Sequence, residues 1–104
     1  MIYELRTYTL KPGTVPQFSE IFEKELRPVS TRHHLNLVGF WHTEIGELNQ
    51  VVHLWAFEDL NQRAEQREAF LKDPALAQVL PKIRDMQVHQ ESKILMPAAF
   101  SPLK

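Results

Sequence analysis

Two histidines set among aromatic residues are the side chains in this sequence best suited to chemistry. His42 lies two residues after Phe40, and His53 lies two residues before Trp55. In an antiparallel hairpin that turns near Gly46, even-numbered residues of one strand share a face with odd-numbered residues of the next, so we expect His42 and His53 to be neighbours. Phe40 and Trp55 then lie beside them. A histidine in such an aromatic pocket is able to act as a general base or as a donor to a ligand.

The same histidines also fit a structural role. Aromatic residues mixed with histidine are common at protein–protein interfaces, and the sequence favours a hydrogen-bonded interface pair over a catalytic one. A metal site is not expected, because His42, His53 and Glu44 show neither the His-x-His nor the His-Glu-x-x-His spacing. The chain has no cysteine, which excludes thiolate metal sites and iron–sulfur clusters. We therefore predict no metal and no cofactor.

Arg6 is a further candidate, and it lies two residues after Glu4 in the first predicted strand. Residues two apart in a strand share a face. A charged side chain on a buried face needs a partner, so the spacing predicts a structural ion pair. The alternative is that Arg6 binds an acidic ligand. No Gly-x-Ser-x-Gly motif and no phosphate-binding glycine loop accompany these residues.

The elements that must position these residues follow the order β-α-β-β-α-β. Residue alternation and turn signals predict four strands, over residues 2–10, 37–43, 50–57 and 86–96. The order is that of the ferredoxin-like fold, an α+β arrangement in which a four-stranded antiparallel sheet carries its helices on one face. We expect a single domain over residues 1–104, with an extended C-terminal tail over residues 97–104.

Capping signals and prolines predict the helix boundaries. Thr14 opens the first helix with the spacing of a capping box, and Pro28 is expected to kink or end it. Asp59 caps the second helical region, in which Leu60 is expected to face the core and Arg63 the solvent. Asp73 and Pro74 form a second start signal in that region.

Composition and charge exclude several classes of protein. The chain is 43% hydrophobic and 24% charged, which is typical of a folded domain. Its net charge is −1 and its basic residues are scattered among acids, so we predict no nucleic-acid binding. No apolar run approaches the roughly 20 residues that span a bilayer. With no signal peptide visible, a cytoplasmic location is expected.

Both faces of the central hairpin are apolar, which predicts a homodimer. One face of the third strand carries Val51, His53, Trp55 and Phe57, and the other carries Val52, Leu54 and Ala56. On the second strand, Leu37, Gly39 and Trp41 are expected to share a face. The helices cover only one side of the sheet, and a second copy packed about a two-fold axis is the simplest cover for the other. A dimer of dimers stays open.

The sequence also resembles a known family along essentially its whole length. The opening Tyr3-Glu4-Leu5-Arg6-Thr7-Tyr8 with Lys11-Pro12-Gly13, and the central stretch from Leu37 to Phe57, are similar to NIPSNAP domains. The resemblance implies a dimeric α/β barrel built from two ferredoxin-like units. It implies no agreed chemistry, although cofactor-free monooxygenases and haem-degrading enzymes share the fold.

Three functions are compatible with these observations. The first is a module that binds a small apolar ligand or a protein partner, which fits aromatic richness without a catalytic constellation. The second is a cofactor-independent monooxygenase or isomerase that acts on an aromatic or polyketide-like substrate, with His42 or His53 removing a proton. The third, less favoured by the sequence, is haem binding through a histidine.

Overall fold

In the computed structural model, which describes residues 1–104, the strands and helices follow the expected order. The elements are β1 (Ile2–Leu10), α1 (Val15–Ile21), a π-helical turn (Phe22–Leu26), α2 (Arg27–Arg32), β2 (Asn36–His42), β3 (Gln50–Phe57), α3 (Leu60–Leu71), α4 (Leu76–Met86) and β4 (Gln87–Leu95). The predicted bounds of β1 and β3 are confirmed, and those of β2 and β4 shift by one residue at each end.

The strands form one antiparallel sheet in the order β2-β3-β1-β4. At its centre β1 pairs with β3, so that Glu4 lies opposite Trp55 and Arg6 lies opposite His53. The helices pack on one face of this sheet, where buried side chains of β1 and β3 join those of the helices in one hydrophobic cluster. The predicted ferredoxin-like fold is confirmed.

A bulge in β2 changes which of its residues face the helices. Leu37 pairs with Trp55, but Gly39 already pairs with Leu54, so an extra residue lies between them. An extra residue reverses the alternation of side chains. Leu37 therefore packs against the core, and the expectation that it shares a face with Gly39 and Trp41 was wrong.

The first helical region differs from the predicted one in two ways. The Thr14 hydroxyl donates to the carbonyl of Lys11, so no side-chain cap forms. The chain also stays helical past Pro28 as far as Arg32, through the π turn. Pro28 lacks an N–H, and its ring would press on the carbonyl of Lys24 in a regular α-helix. The wider π turn directly before Pro28 makes room for that ring.

The helix α3 begins as predicted but faces the sheet with charged residues. The Asp59 carboxylate accepts the backbone N–H of Gln62 at 2.7 Å, which confirms the cap. Only Phe70 of this helix is buried, and Leu60 is exposed. Arg63 points to the sheet instead, so the expected orientation of Leu60 and Arg63 was wrong. A buried carboxylate on β1, described below, accounts for the inward Arg63.

No helix in the structure has both the length and the apolar character to cross a membrane.

Candidate functional site

A cavity of about 260 Å³ lies between the helices and the sheet. Side chains of β1 and β3 form its floor, and those of the helices form its walls. Most of the residues that line it are hydrophobic, and exposed residues such as Leu71, Arg84 and Gln90 mark its mouth. The deepest lining residues are aromatic or aliphatic and buried, namely Tyr8, Phe18, Phe22, Leu26, Leu35, Trp55, Phe57, Phe70 and Ile83.

The structure brings four of the five predicted site residues together. Arg6, His53 and Trp55 line the cavity. Phe40 stacks on His53 with ring centroids 5.7 Å apart. His42 lies two residues beyond Phe40, where it is 59% exposed and 3.7 Å from Glu44. It pairs across the hairpin with Val51, diagonally from His53, and it does not line the cavity.

His53 is a neutral hydrogen-bond donor without a partner. The indole N–H of Trp55 donates to its Nδ1 at 2.7 Å. Since an indole nitrogen only donates, Nδ1 is the acceptor and the ring proton lies on Nε2. Nε2 is buried and makes no hydrogen bond. Burial and the nearby Arg6 charge lower the pKa of His53 to about 3, so the ring is uncharged at neutral pH.

Aromatic rings surround this imidazole. Tyr8 meets it edge-on with centroids 4.8 Å apart, and Phe22 does so at 5.4 Å. An unpaired donor in apolar surroundings has a free-energy cost of about 1 to 3 kcal/mol. A ligand with a hydrogen-bond acceptor removes that cost when it enters the cavity.

Glu4 holds the charged part of the site in place. Its side chain is fully buried and accepts hydrogen bonds from Arg6 at 2.7 Å, from Arg63 at 2.9 and 3.0 Å, and from the Ser92 hydroxyl at 2.6 Å. Burial raises the pKa of Glu4, but the hydrogen bonds from Arg63 and Ser92 and the charge of Arg6 outweigh burial and lower it to about 2. The predicted Glu4–Arg6 ion pair is confirmed.

Arg6 in turn fixes an aromatic wall of the cavity. Its Nε donates to the Tyr8 hydroxyl at 2.8 Å, and its guanidinium lies 5.4 Å from the Tyr8 ring centroid. With Glu4 on one side and Tyr8 on the other, Arg6 has two partners inside the protein.

Sequence reasoning missed several cavity residues, among them Arg67 and Gln90. The spacing of Arg63, Arg67 and Phe70 puts them on one stripe of α3. Arginines on the same stripe as an aromatic residue could have indicated that these arginines face the interior. The two cavity glutamines gave no signal. Gln87 and Gln90 reach the same face only because the pairing of β1 with β4 is irregular after Thr9.

No three histidine, aspartate or glutamate side chains lie close enough together to hold a metal ion.

Comparisons with known proteins place the whole chain in one family. The sequence model named NIPSNAP matches residues 3–102. The human protein NipSnap homolog 3B is 35% identical over 103 residues, which cover 99% of this chain and 42% of that protein. This chain therefore spans less than half the length of that relative.

Solved structures agree with this placement. A NIPSNAP family protein of unknown function from Agrobacterium tumefaciens is 45% identical, with a TM-score of 0.95 and full coverage of both chains. A candidate antibiotic biosynthesis monooxygenase from Nitrosomonas europaea has a TM-score of 0.69 at 13% identity, covering 96% of this chain and 100% of that one. At that identity the likeness concerns the fold alone.

Replacing Glu4 by glutamine is expected to destabilise the fold by about 3 kcal/mol, because the change leaves Arg6 and Arg63 without a counter-charge. The lowered pKa of Glu4 means that its stabilising contribution is complete above its unfolded value of 4.5 and is lost as pH falls towards about 2. Urea unfolding of the wild type, of Glu4→Gln and of Glu20→Gln measures the effect. Glu20 is exposed and pairs only with Lys24, so its variant serves as the control. An unchanged midpoint for Glu4→Gln would contradict the role given to this carboxylate.

The buried His53 is expected to make the folded state less stable as the medium becomes acidic. Below pH 6.5 the unfolded chain takes up a proton at this residue, whereas the folded chain does so only near pH 3. Stability therefore falls by up to about 1.4 kcal/mol per pH unit from this group. Between pH 6.5 and 4.5, above the range in which Glu4 titrates, His53→Gln should show a flatter pH dependence of the unfolding free energy. His42→Gln, at an exposed histidine of the same hairpin, is the matched control, and equal slopes in the wild type and His53→Gln would show that His53 is not a neutral buried group.

Proposed function

This chain belongs to the NIPSNAP family, and we propose that it is a module that binds a small ligand in the cavity between its sheet and its helices. The observation that carries the proposal is the unpartnered Nε2–H of His53, which is buried among aromatic rings. A small apolar cavity with a few fixed polar groups is the usual form of a ligand site. The ligand is expected to have an apolar body and a hydrogen-bond acceptor that meets His53.

The size of the cavity limits the ligand. An apolar cavity of roughly 150 Å³ holds a benzene ring. At about 260 Å³, this cavity admits one or two fused rings. A flat aromatic body also suits walls that include Phe18, Phe22 and Phe70. A haem is far larger than this cavity, and the protonated Nε2 of His53 has no free lone pair for an iron.

An oxygenase or isomerase is the second candidate function, but the geometry changes the role of its histidine. The Nδ1 atom of His53 already accepts the indole N–H of Trp55, and Nε2 carries the proton. The group that a substrate meets is therefore a donor and not a base. Such a donor would stabilise an enolate oxygen that forms on the substrate, while the proton goes elsewhere. His42 lies outside the cavity and gives this function no support.

The sheet face opposite the helices supports a homodimer as part of this proposal. Leu5 pairs with Leu54 and Trp41 pairs with Val52, so apolar side chains adjoin across three strands. Trp41 lies flat over Gly39, where any side chain would collide with the indole, and it is still 53% exposed. A second copy is the occupant that we propose, because the same apolar patch on both subunits is self-complementary about a two-fold axis. A cytoplasmic location stays a prediction.

Naphthamide is a suitable probe of the cavity, because it joins two fused rings to a carbonyl acceptor. We expect it to bind the wild type in isothermal titration calorimetry and to raise the melting temperature. Leu80 lines the cavity, so Leu80→Trp should abolish binding. The control Leu60→Trp places the same side chain on an exposed position of α3 outside the cavity and should bind normally. His53→Phe keeps an aromatic ring but removes the Nε2 donor and also the Nδ1 acceptor of the Trp55 indole N–H, and a loss of about fivefold to tenfold in affinity is expected.

Two results would overturn the binding proposal. One is the absence of binding by naphthamide and by related bicyclic ketones to the wild type. The other is equal affinity for the wild type and Leu80→Trp, which would place the probe outside the cavity.

Sedimentation equilibrium at micromolar concentration is expected to show a species of twice the 12.2 kDa chain mass. Leu54→Glu puts a charge in the middle of the open sheet face and should yield a monomer, because a buried unpaired carboxylate has a large free-energy cost. Ile45→Glu makes the same addition at a residue that is 93% exposed in the β2–β3 connection and should leave the dimer intact. A wild type that sediments as a 12.2 kDa species would contradict the dimer.

A further inference from the structure

The charges around the cavity are all of one sign. Its 17 lining residues include three arginines, at positions 6, 67 and 84, and no aspartate or glutamate. Glu4 is the nearest buried acid, but it lies behind the lining and already accepts from Arg6 and Arg63. The cavity therefore presents a positive potential to whatever enters it.

Two cavity arginines lack a side-chain partner: Arg84, which is exposed at the mouth, and Arg67. Arg67 is partly buried and makes no hydrogen bond to a side chain and no ion pair, unlike Arg6 and Arg63. Burial and the charge of Arg6 lower the pKa of Arg67, and the charge of Glu4 opposes them. Glu4 is the anion that partners Arg6, and a second anion beside Arg67 would give this guanidinium the partner that it lacks.

From this arrangement we propose that the ligand is a small monocarboxylate with a flat apolar body, held by a bidentate contact of its carboxylate with Arg67. This inference rests on the proposed binding function and specifies the class of ligand. A carboxylate fits because its two oxygens match the planar fork of one guanidinium. A phosphate carries more charge and more acceptors than one partly buried arginine and a mostly apolar lining satisfy, since the other unpaired arginine, Arg84, is exposed at the mouth. The apolar body then lies against the aromatic walls.

The position of Arg67 supports a role in orienting the ligand. Arg67 and His53 line the same cavity. A ligand that meets both has its carboxylate on the guanidinium and a second acceptor, or the second carboxylate oxygen, at the His53 Nε2–H. These donors lie in a water-poor site, where charge-assisted hydrogen bonds are strong.

A matched pair of probes tests the inference. Naphthoate and naphthamide have the same rings and nearly the same shape, but only naphthoate is an anion at neutral pH. In titration calorimetry the wild type should bind naphthoate about tenfold more tightly than naphthamide or better. Arg67→Gln should weaken naphthoate by about 10- to 100-fold and leave naphthamide nearly unchanged. Lys72→Gln removes a positive charge from an exposed site five residues beyond Arg67 and should alter neither affinity.

The outcomes separate this inference from the function on which it rests. Binding of naphthamide with no preference for naphthoate in the wild type overturns the carboxylate class but leaves the binding function standing. An equal loss of affinity for both probes in Arg67→Gln also overturns the carboxylate class, because it indicates a general change in the cavity. Binding of neither probe overturns both proposals. If Arg67→Gln folds poorly, the affinities of the wild type for the two probes still decide whether the site prefers a carboxylate.

Discussion

The buried carboxylate of Glu4 is the constraint on which the arrangement of this site depends. A fully buried carboxylate needs several donors, and Glu4 obtains them from three elements: β1 through Arg6, α3 through Arg63 and β4 through Ser92. Because α3 buries only Phe70, apolar packing alone holds it weakly against the sheet. The Arg63–Glu4 contact holds α3 against the sheet where apolar packing is weak. It also fixes the position of Arg67, which lies one turn further along α3 and lines the cavity.

The same contact explains why a cavity exists at all. In a two-layer domain the helices normally fill the space above the sheet with interdigitating apolar side chains. Here α3 offers arginines to that space, and their charged ends need partners and cannot be packed as hydrocarbon. Glu4 satisfies Arg63 and Arg6, and Tyr8 takes the remaining contact of Arg6. The volume between these charged groups and the aromatic walls stays open.

The sheet was largely predictable from the sequence, and the faces of its side chains were less so. Alternation placed β1 and β3 correctly, and the i, i+2 relation of His53 to Trp55 put both on one face, but only the structure shows that this face meets the helices. The bulge that turns Leu37 inward left no trace in the residue types, because either face of β2 accepts an apolar residue. Arg63 was placed outside since helical arginines are mostly solvated. A buried acid on a different element reversed that preference, and such a pairing of distant residues is visible only in three dimensions.

The tautomer of His53 decides what kind of chemistry the site is able to support. His53 and Trp55 lie on one face of β3, and the indole N–H of Trp55, which can only donate, donates to Nδ1 of His53. The imidazole proton therefore lies on Nε2, where it is a hydrogen-bond donor. Burial and the charge of Arg6 lower the pKa of His53, so the ring is neutral at neutral pH. A protein that needed a base at this point would place an acceptor, such as a carboxylate, behind the ring to hold the opposite tautomer and to stabilise the cation. The neighbouring carboxylate instead accepts from arginines. The site presents donors and positive charge, an arrangement that suits the anion proposed above and not the removal of a proton.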